Sequence, residues 1–346
     1  MANNRIFWAI QGVAIAPQGS VDFSGTAVVH GLQTMGITTT FNLEQVFEIG
    51  QIAIYENIED VPDIEVTMEK VLDGYPLIYH LATQGYPTGT LSGRSTRKCN
   101  VVMNIYGDTQ DSASGVPQAE VLMSGMYVSS LTYTFPVDGN CTESVTLVGN
   151  DKVWRNGVAP NGFLLSGEVF DNTDTPPSGV QRREDVVFDS VTYASRSATI
   201  LPTVIEGISA SGTNDTDANG YLTAHVQTLS VSCDLGREAL NELGRRTPYF
   251  RYVNFPVEVT SEVEVTSALG DQVDATETGT QGDGNNLTNE TIFILLKDST
   301  SVDLGDSNKL ANVSYGGGDA GGGNATTTYS FTTFNELTVS HDSDPG

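Results

Sequence analysis

Gln33-Thr34-Met35-Gly36-Ile37 is matched 194 residues later by Gln227-Thr228-Leu229-Ser230-Val231. The match continues without a gap, and seven of the thirty positions from Gln33 to Pro62 are identical in the second stretch. Beyond the Gln-Thr dipeptide, the identical pairs are Glu44/Glu238, Glu48/Glu242, Gly50/Gly244, Tyr55/Tyr249 and Pro62/Pro256. Self-similarity at a fixed offset is the signature of a repeated structural unit. We therefore interpret the chain as a tandem duplication.

The segments that follow this match also recur in the same order. An alternating strand comes next in both copies, Ile64-Glu65-Val66-Thr67 and Val257-Glu258-Val259-Thr260. Later, a hairpin beginning Ser130-Leu131-Thr132-Tyr133 corresponds to one beginning Asn312-Val313-Ser314-Tyr315. We expect copy 1 to span residues 1–170 and copy 2 to span 186–346. The polar stretch 171–185, rich in Pro and Gly at its start, is the predicted linker.

Alternation of apolar and polar residues is the dominant periodicity of the chain and is typical of half-buried strands. With 36 Gly and 13 Pro as punctuation, it predicts a mainly β protein of two tandem β-sandwich or barrel domains. The predicted strands include 65–71, 128–135, 144–148, 257–265, 291–296 and 328–339.

One short flanking helix is predicted in each copy, over Asn42 to Gly50 and over Asp234 to Gly244. In the first, Asn42 is a candidate N-cap, and Leu43, Val46 and Phe47 form one apolar stripe. A glycine that can adopt the left-handed conformation ends each segment. Helices of about two turns are not stable alone, so we expect each to pack on a sheet.

The charge of the chain excludes a nucleic-acid-binding role. The 43 Asp and Glu outnumber the 16 Lys and Arg, which gives a net charge of −27, whereas phosphate binding requires a basic face. No stretch reaches the roughly 18 apolar residues of a membrane span, so no membrane anchor is expected. Cys99, Cys141 and Cys233 are widely spaced and are predicted to be small buried side chains.

A single weak metal motif is present, Asp215-Thr216-Asp217-Ala218-Asn219-Gly220. Asp215, Asp217 and Asn219 match the first half of a calcium loop, but the twelfth position is Val226 where a bidentate Glu is needed. A hairpin turn is the alternative interpretation of this motif. No nucleophile elbow, zinc-protease motif or phosphate loop occurs, so we expect neither an enzyme nor a bound cofactor.

The few basic residues are clustered, and one cluster consists of Arg237, Arg245, Arg246 and Arg251, of which the last three are singled out. On so acidic a protein, this cluster is a candidate for contacts with acidic surfaces of neighbouring copies. A solvated patch is the alternative interpretation.

The predicted strand, short helix and strand of segment 230–259, together with the hairpin Leu131 to Gly149, resemble tail tube proteins of tailed viruses. In that family, a β-sandwich domain with one flanking helix assembles into rings that stack as a hollow tube around an inner β-barrel. The resemblance implies a structural virion protein of the tail, assembled in the host cytoplasm, whose tube conducts the genome. It also implies the tape measure protein and DNA as transient lumen contents, and sheath, tail terminator and baseplate proteins as partners.

The family usually has one tube domain per subunit and six subunits per ring, whereas this chain carries two copies. Duplication therefore implies a trimeric ring with pseudo-sixfold symmetry, and a ring of six chains is the alternative. The residues Glu65, Glu69, Glu258, Glu262 and Glu264 are candidates for the face toward the channel or the solvent. A tail hub protein with two tube-like domains and a calcium-dependent carbohydrate-binding β-sandwich protein are the alternative functions.

Overall fold

The computed structural model describes residues 6–19, 23, 27–83, 90–107, 116–157, 176–188, 198–208, 224–271, 273, 288–318 and 322–341. Among these, two short helices accompany eighteen strands, so the expectation of a mainly β fold is confirmed. The helices are α1 (Ile78–Ala82) and α2 (Leu91–Arg94). The strands of the first half are β1 (Gln11–Pro17), β2 (Leu32–Thr40), β3 (Leu43–Phe47), β4 (Ile54–Glu59), β5 (Asp63–Val71), β6 (Cys99–Ile105), β7 (Ala119–Pro136), β8 (Thr142–Gly149) and β9 (Asp151–Asn156). Those of the second half are β10 (Val226–Asp234), β11 (Arg237–Leu240), β12 (Phe250–Val253), β13 (Glu258–Thr266), β14 (Phe293–Leu295), β15 (Ser301–Asp303), β16 (Lys309–Gly316), β17 (Thr326–Phe334) and β18 (Thr338–Ser340).

Eight of these strands form one continuous antiparallel path, β2-β5-β8-β7-β10-β13-β17-β16. The first four belong to the first half of the chain and the last four to the second half. The order repeats, because β10, β13, β17 and β16 follow one another as β2, β5, β8 and β7 do. The sheet is therefore two equivalent four-stranded units joined edge to edge between β7 and β10.

The register of pairing repeats as well as the order. In β2–β5 one extra residue, Gln33, bulges between Leu32 and Thr34, and in β10–β13 the equivalent Gln227 does the same. Each Gln amide donates to the carbonyl two residues earlier, at 3.1 Å in both copies. The β7–β8 and β16–β17 pairs also share a bulge at equivalent positions, Ser129 and Ala311. Bulges are positional features of a sheet, so these shared irregularities strengthen the interpretation of a duplication. The domain boundaries at 170 and 186 stay a prediction, and residues 171–175 of the linker lie outside the described part.

A second layer packs against the buried face of this sheet. In the first half, β1, β6, the start of β7 and β9 form it, and in the second half β14, β15 and β18 form a small sheet. The 18-residue strand β7 contributes to both layers, and Gly125 sits where it passes from one to the other with a φ of 65°. A glycine adopts that backbone conformation without a Cβ clash. One core cluster draws residues from both halves, and the three cysteines are buried, as predicted.

The two predicted flanking helices are wrong. Residues 42–50 and 234–244 instead begin two hairpins, the exposed β3–β4 and the half-buried β11–β12, which share the same register at the 194-residue offset. The Asn42 side chain donates to the Val61 carbonyl and to Asp63 across the base of the hairpin, and so caps no helix. A two-turn helix needs a packing surface for its apolar stripe. These arms project from the sheet, and a hairpin satisfies its backbone groups without such a surface.

A buried polar cluster fixes helix α1 on the sheet in the first half. Glu143 of β8 is fully buried and accepts hydrogen bonds from the backbone N–H groups of Ile78 (2.6 Å) and Tyr79 (3.1 Å) and from the Tyr133 hydroxyl (3.0 Å). Lys70 lies opposite it in the β5–β8 register and pairs with Asp73 at 3.2 Å. Burial raises the pKa of Glu143, while Lys70 and these donors oppose that rise. In the second half, Thr327 occupies the equivalent position, so the cluster is specific to the first half.

The substitution Glu143→Ala should lower the free energy of unfolding by about 3–5 kcal/mol, because it leaves three buried donors without their acceptor and removes a negative charge near the buried Lys70. Chemical denaturation followed by circular dichroism measures this loss. The exposed Glu65→Ala, on the neighbouring strand, should stay within about 0.5 kcal/mol of the unmodified protein. Equal stability of the two variants would contradict the assigned role of Glu143.

Candidate assembly interface

The two ends of the eight-stranded path are complementary edges. In the described part of the chain, no strand pairs with the outer side of β2 or with the outer side of β16. β2 is the equivalent of β10, and β16 is the equivalent of β7. The two open edges are therefore the same two strands that pair with each other inside the chain.

The internal joint defines how such edges fit. β7 and β10 pair antiparallel without a register shift from Pro136/Thr228 to Ser130/Asp234. The Val137 N–H donates to the Gln227 carbonyl and the Leu235 N–H to the Ser129 carbonyl, both at 2.8 Å. Backbone N–H and C=O groups point alternately to the two sides of a strand in an antiparallel ladder. The backbone groups of the odd-numbered residues of β7 and β10 therefore point into the joint. Their equivalents on the open edges include Ile37 on β2 and Tyr315 on β16.

One face of this sheet is exposed and polar. On β8, β7, β10 and β17, the residues of this face are mostly Ser and Thr, and on β5 and β13 they are mostly acidic. Among the described residues of the eight strands, one basic side chain, Lys309 at the start of β16, lies on this face. The acidic members are Asp63, Glu65, Glu69, Asp234, Glu258, Glu262 and Glu264.

The five glutamates singled out from the sequence all lie on this polar face. Their strand neighbours are mostly Ser and Thr; Glu262, for example, stands between Ser230 and Ser330. Within the described residues, none of the five forms an ion pair. They form two acidic stripes, Glu65 and Glu69 on β5 and Glu258, Glu262 and Glu264 on β13.

The three arginines singled out from the sequence make contacts within the chain. Arg251 pairs with Asp63 at 2.6 Å and donates to the Asn150 side chain at 3.0 Å. Arg246 donates to the Glu59 carbonyl at 3.2 Å. Arg245 contacts Glu242 in the same loop at 3.4 Å. Two of the three therefore tie the β11–β12 hairpin of the second half to the first half.

Arg237, the fourth member of the basic cluster, anchors this hairpin most firmly. Arg237 donates to the Val128 carbonyl at 2.7 Å and to the Ser95 carbonyl at 2.6 Å, and its guanidinium lies 5.0 Å from the centre of the Tyr127 ring. Burial lowers the pKa of Arg237 to about 10, so it remains cationic at neutral pH. Phe250 packs edge-on against Tyr127 at 5.6 Å. Residues 237–240 were interpreted as part of a helix, and their sequence, Arg-Glu-Ala-Leu, shows no alternation that would have indicated a strand.

Burial opposes the ionisation of Asp63, but hydrogen bonds from Arg251, Asn42 and Asn150 and the charge of Arg251 outweigh it and lower its pKa. A carboxyl with a lowered pKa stabilises the folded arrangement above its unfolded pKa. That contribution is lost as the pH falls through the lowered value. The attachment of the hairpin is therefore insensitive to pH near neutrality.

Other candidate sites are not brought together. Asp215, Asp217 and Asn219 lie outside the described residues. Within the described ranges, no group of three His, Cys, Asp or Glu side chains could hold a metal ion. The helices there are all too short or too polar to span a membrane.

No family model matches this chain. No curated protein sequence matches it either. Several solved structures show a partial likeness, and three of them have a TM-score of 0.33 each. Two are chains of the anti-feeding prophage, from its tube-terminating cap (11% identity) and from its baseplate (12%). The third belongs to the sheath–tube complex of an extracellular contractile injection system in its extended state (9%). Each match covers 45% of this chain and 94 to 98% of the other. Likeness at this level carries no argument about function, which has to come from the interface.

The substitution Arg251→Ala should raise the pKa of Asp63, because it removes a hydrogen bond and a positive charge while burial of the carboxyl remains. Carboxyl carbon chemical shifts followed through an NMR pH titration measure this pKa. Arg245→Ala is the matched control, since among the described residues the Arg245 side chain contacts only Glu242, and it should leave the Asp63 titration unchanged. The same Asp63 pKa in both variants would show that Arg251 does not hold this carboxylate.

Proposed function

We propose that this chain is a structural protein of a phage-like tail assembly, without catalytic activity, and more narrowly a subunit of its tube. The observation that carries the proposal is that the two open edge strands, β2 and β16, are equivalent to β10 and β7, the strands that pair at the internal joint. Edge β16 of one chain fits edge β2 of the next as β7 fits β10. Such a head-to-tail contact generates a ring when the rotation closes.

The closed form of this contact has no open edge. Exposed strand edges invite uncontrolled association, and closure into a barrel removes them. With two equivalent units per chain, a ring of three chains would contain six units around its axis. A ring of six chains is the wider alternative, and the same edge pairing would serve it.

Stacking of rings has apolar candidates at the hairpin tips. Ile49 and Ile52 at the tip of β3–β4 and Leu243 at the tip of β11–β12 are fully exposed. Ile49 and Leu243 are equivalent at the 194-residue offset, so a ring would present apolar tips at regular intervals. Exposed apolar groups of this kind favour burial against another surface. Stacked rings distinguish a tube subunit from a tail hub, which is the competing assignment.

The polar face suits the lining of a conduit for DNA. Ser, Thr, Asp and Glu side chains offer phosphates no counterion, whereas Lys and Arg would bind them. The curvature that brings this face inward would place the two acidic stripes of every chain along the channel. Passage of the genome and of the tape measure protein is part of this proposal.

The substitution Tyr315→Pro should abolish ring formation. It removes an outward N–H of edge β16 and leaves the inward bonds to β17 in place, as proline is tolerated on the free side of an edge strand. Tyr315→Ala is the matched control, because it deletes the same side chain and keeps the N–H. Negative-stain electron microscopy and light scattering at increasing concentration measure assembly. Rings in the proline variant would overturn edge pairing, and an absence of assembly in the unmodified protein would overturn the proposed function.

A gold label attached at Glu262→Cys should appear near the axis of the rings, because the proposal places the polar face inward. The native cysteines are buried and should not react with a maleimide reagent. Arg155→Cys is the control: it lies on β9 in the second layer, across the core, and should give label at the periphery. Peripheral label from Glu262→Cys would refute the channel assignment of this face.

A further inference from the structure

Among the described residues, the hairpin β3–β4 packs on no other strand and is contacted at its base by Arg246, whereas its equivalent β11–β12 packs on the first half. Every residue of β3 and β4 except Val46 is exposed, including Leu43 (62% exposed) and Phe47 (65%). In β11–β12 most residues are half-buried, because the hairpin leans from β10 across β7 and β8 of the first half. Two arms of equal register therefore differ in whether a neighbouring unit lies beside them.

We propose that β3–β4 seats on the second half of a neighbouring copy of this chain, in the way that β11–β12 seats on the first half. This inference rests on the proposed head-to-tail ring. In that ring, the strand beside β2 is β16 of the neighbour, as β7 is beside β10. The hairpin that rises after β2 would then lie over the neighbour's β16 and β17.

Each contact of β11–β12 with the first half has an equivalent pair of residues, one on β3–β4 and one on the second half of the neighbouring chain. Phe250 corresponds to Glu56 in the hairpin register, and Tyr127 corresponds to Lys309 in the register of the seat. The aromatic contact between Phe250 and Tyr127 inside the chain therefore becomes a contact between Glu56 and the neighbour's Lys309. The two positions carry opposite charges, although nothing within one chain brings them into a described contact.

The other two internal contacts also have equivalents at the joint between chains. Arg251 and Asp63 become Asn57 and Glu258, an amide beside a carboxylate. Arg237, which donates to the Val128 backbone carbonyl, becomes Leu43, which cannot donate to the equivalent Leu310 carbonyl. A buried arginine in the first joint and an apolar residue at the second make the two joints chemically different.

This difference has a function in assembly, because specificity needs contacts that reject the wrong partner. A β11–β12 hairpin placed on the external seat would put Arg251 beside Glu258. It would also bring the Arg237 guanidinium next to Lys309, a like charge in place of the Tyr127 ring. The arm β3–β4 on the internal seat would leave Asp63 without its arginine. The chain therefore discriminates its own joint from the joint with its neighbour.

Charge reversal tests the pair directly. Each of Glu56→Lys and Lys309→Glu should raise the concentration needed for ring formation by about tenfold, since like charges then meet across the joint. The double variant should return it to within about twofold of the unmodified value. Asp138→Lys, a change of the same size at the exposed β7–β8 turn, should have little effect. Sedimentation velocity over a concentration series measures each value.

Cross-linking gives a second reading that does not depend on affinity. Glu56→Cys and Lys309→Cys proteins, mixed and treated with a short bismaleimide, should give a two-chain product, and either protein alone should give little. The inference is overturned if the double reversal fails to restore assembly, or if neither reversal has an effect and no cross-link forms. If Tyr315→Pro still prevents rings in that case, the proposed function stands without this contact; if it does not, both fail.

Discussion

The backbone ladder between β7 and β10 is the constraint on which the rest of the structure depends. It joins two four-stranded units of the same order and register into one sheet. An antiparallel ladder fixes both the direction and the register of the strands that it joins. The second four-stranded unit therefore continues the sheet in the same strand order as the first. The two outer strands of the sheet, β2 and β16, are therefore equivalent to the two strands that pair inside the chain, β10 and β7.

Duplication inside one chain changes what assembly must achieve. A joint within the chain forms at high effective concentration and needs little affinity of its own. Even so, the joint seen here is reinforced by Arg237, Arg246 and Arg251, which cross from the second half to the first. These contacts orient the two units rigidly, and a ring closes only when the angle between successive units is fixed. Most members of the arginine cluster noted in the sequence therefore make contacts within the chain, and their contacts between copies stay a prediction.

The sequence was sufficient for the repeat and for most of the strands, because both depend on local pattern. The alternation of β5 and β13 identified their exposed glutamates, whereas the bulges at the matched Gln33 and Gln227 were not predicted. The hairpins β3–β4 and β11–β12 were mistaken for helices, since Leu43, Val46 and Phe47 have helical spacing but no core beneath them. The joint between β7 and β10 was not predictable, because pairing between distant strands depends on the 18-residue β7 leaving one layer for the other.

The distribution of charge follows from the same architecture. Acidic residues on the polar face are confined mostly to β5 and β13, the second strand of each unit, and hydroxyl side chains separate them on either side. Placed on every strand, so many carboxylates would repel one another directly across the ladder. Two stripes per chain keep the face negative, while the residues paired with these glutamates across the ladder are neutral. A surface of this kind remains hydrated and binds polyanions weakly, which is the physical requirement for a wall past which DNA must slide.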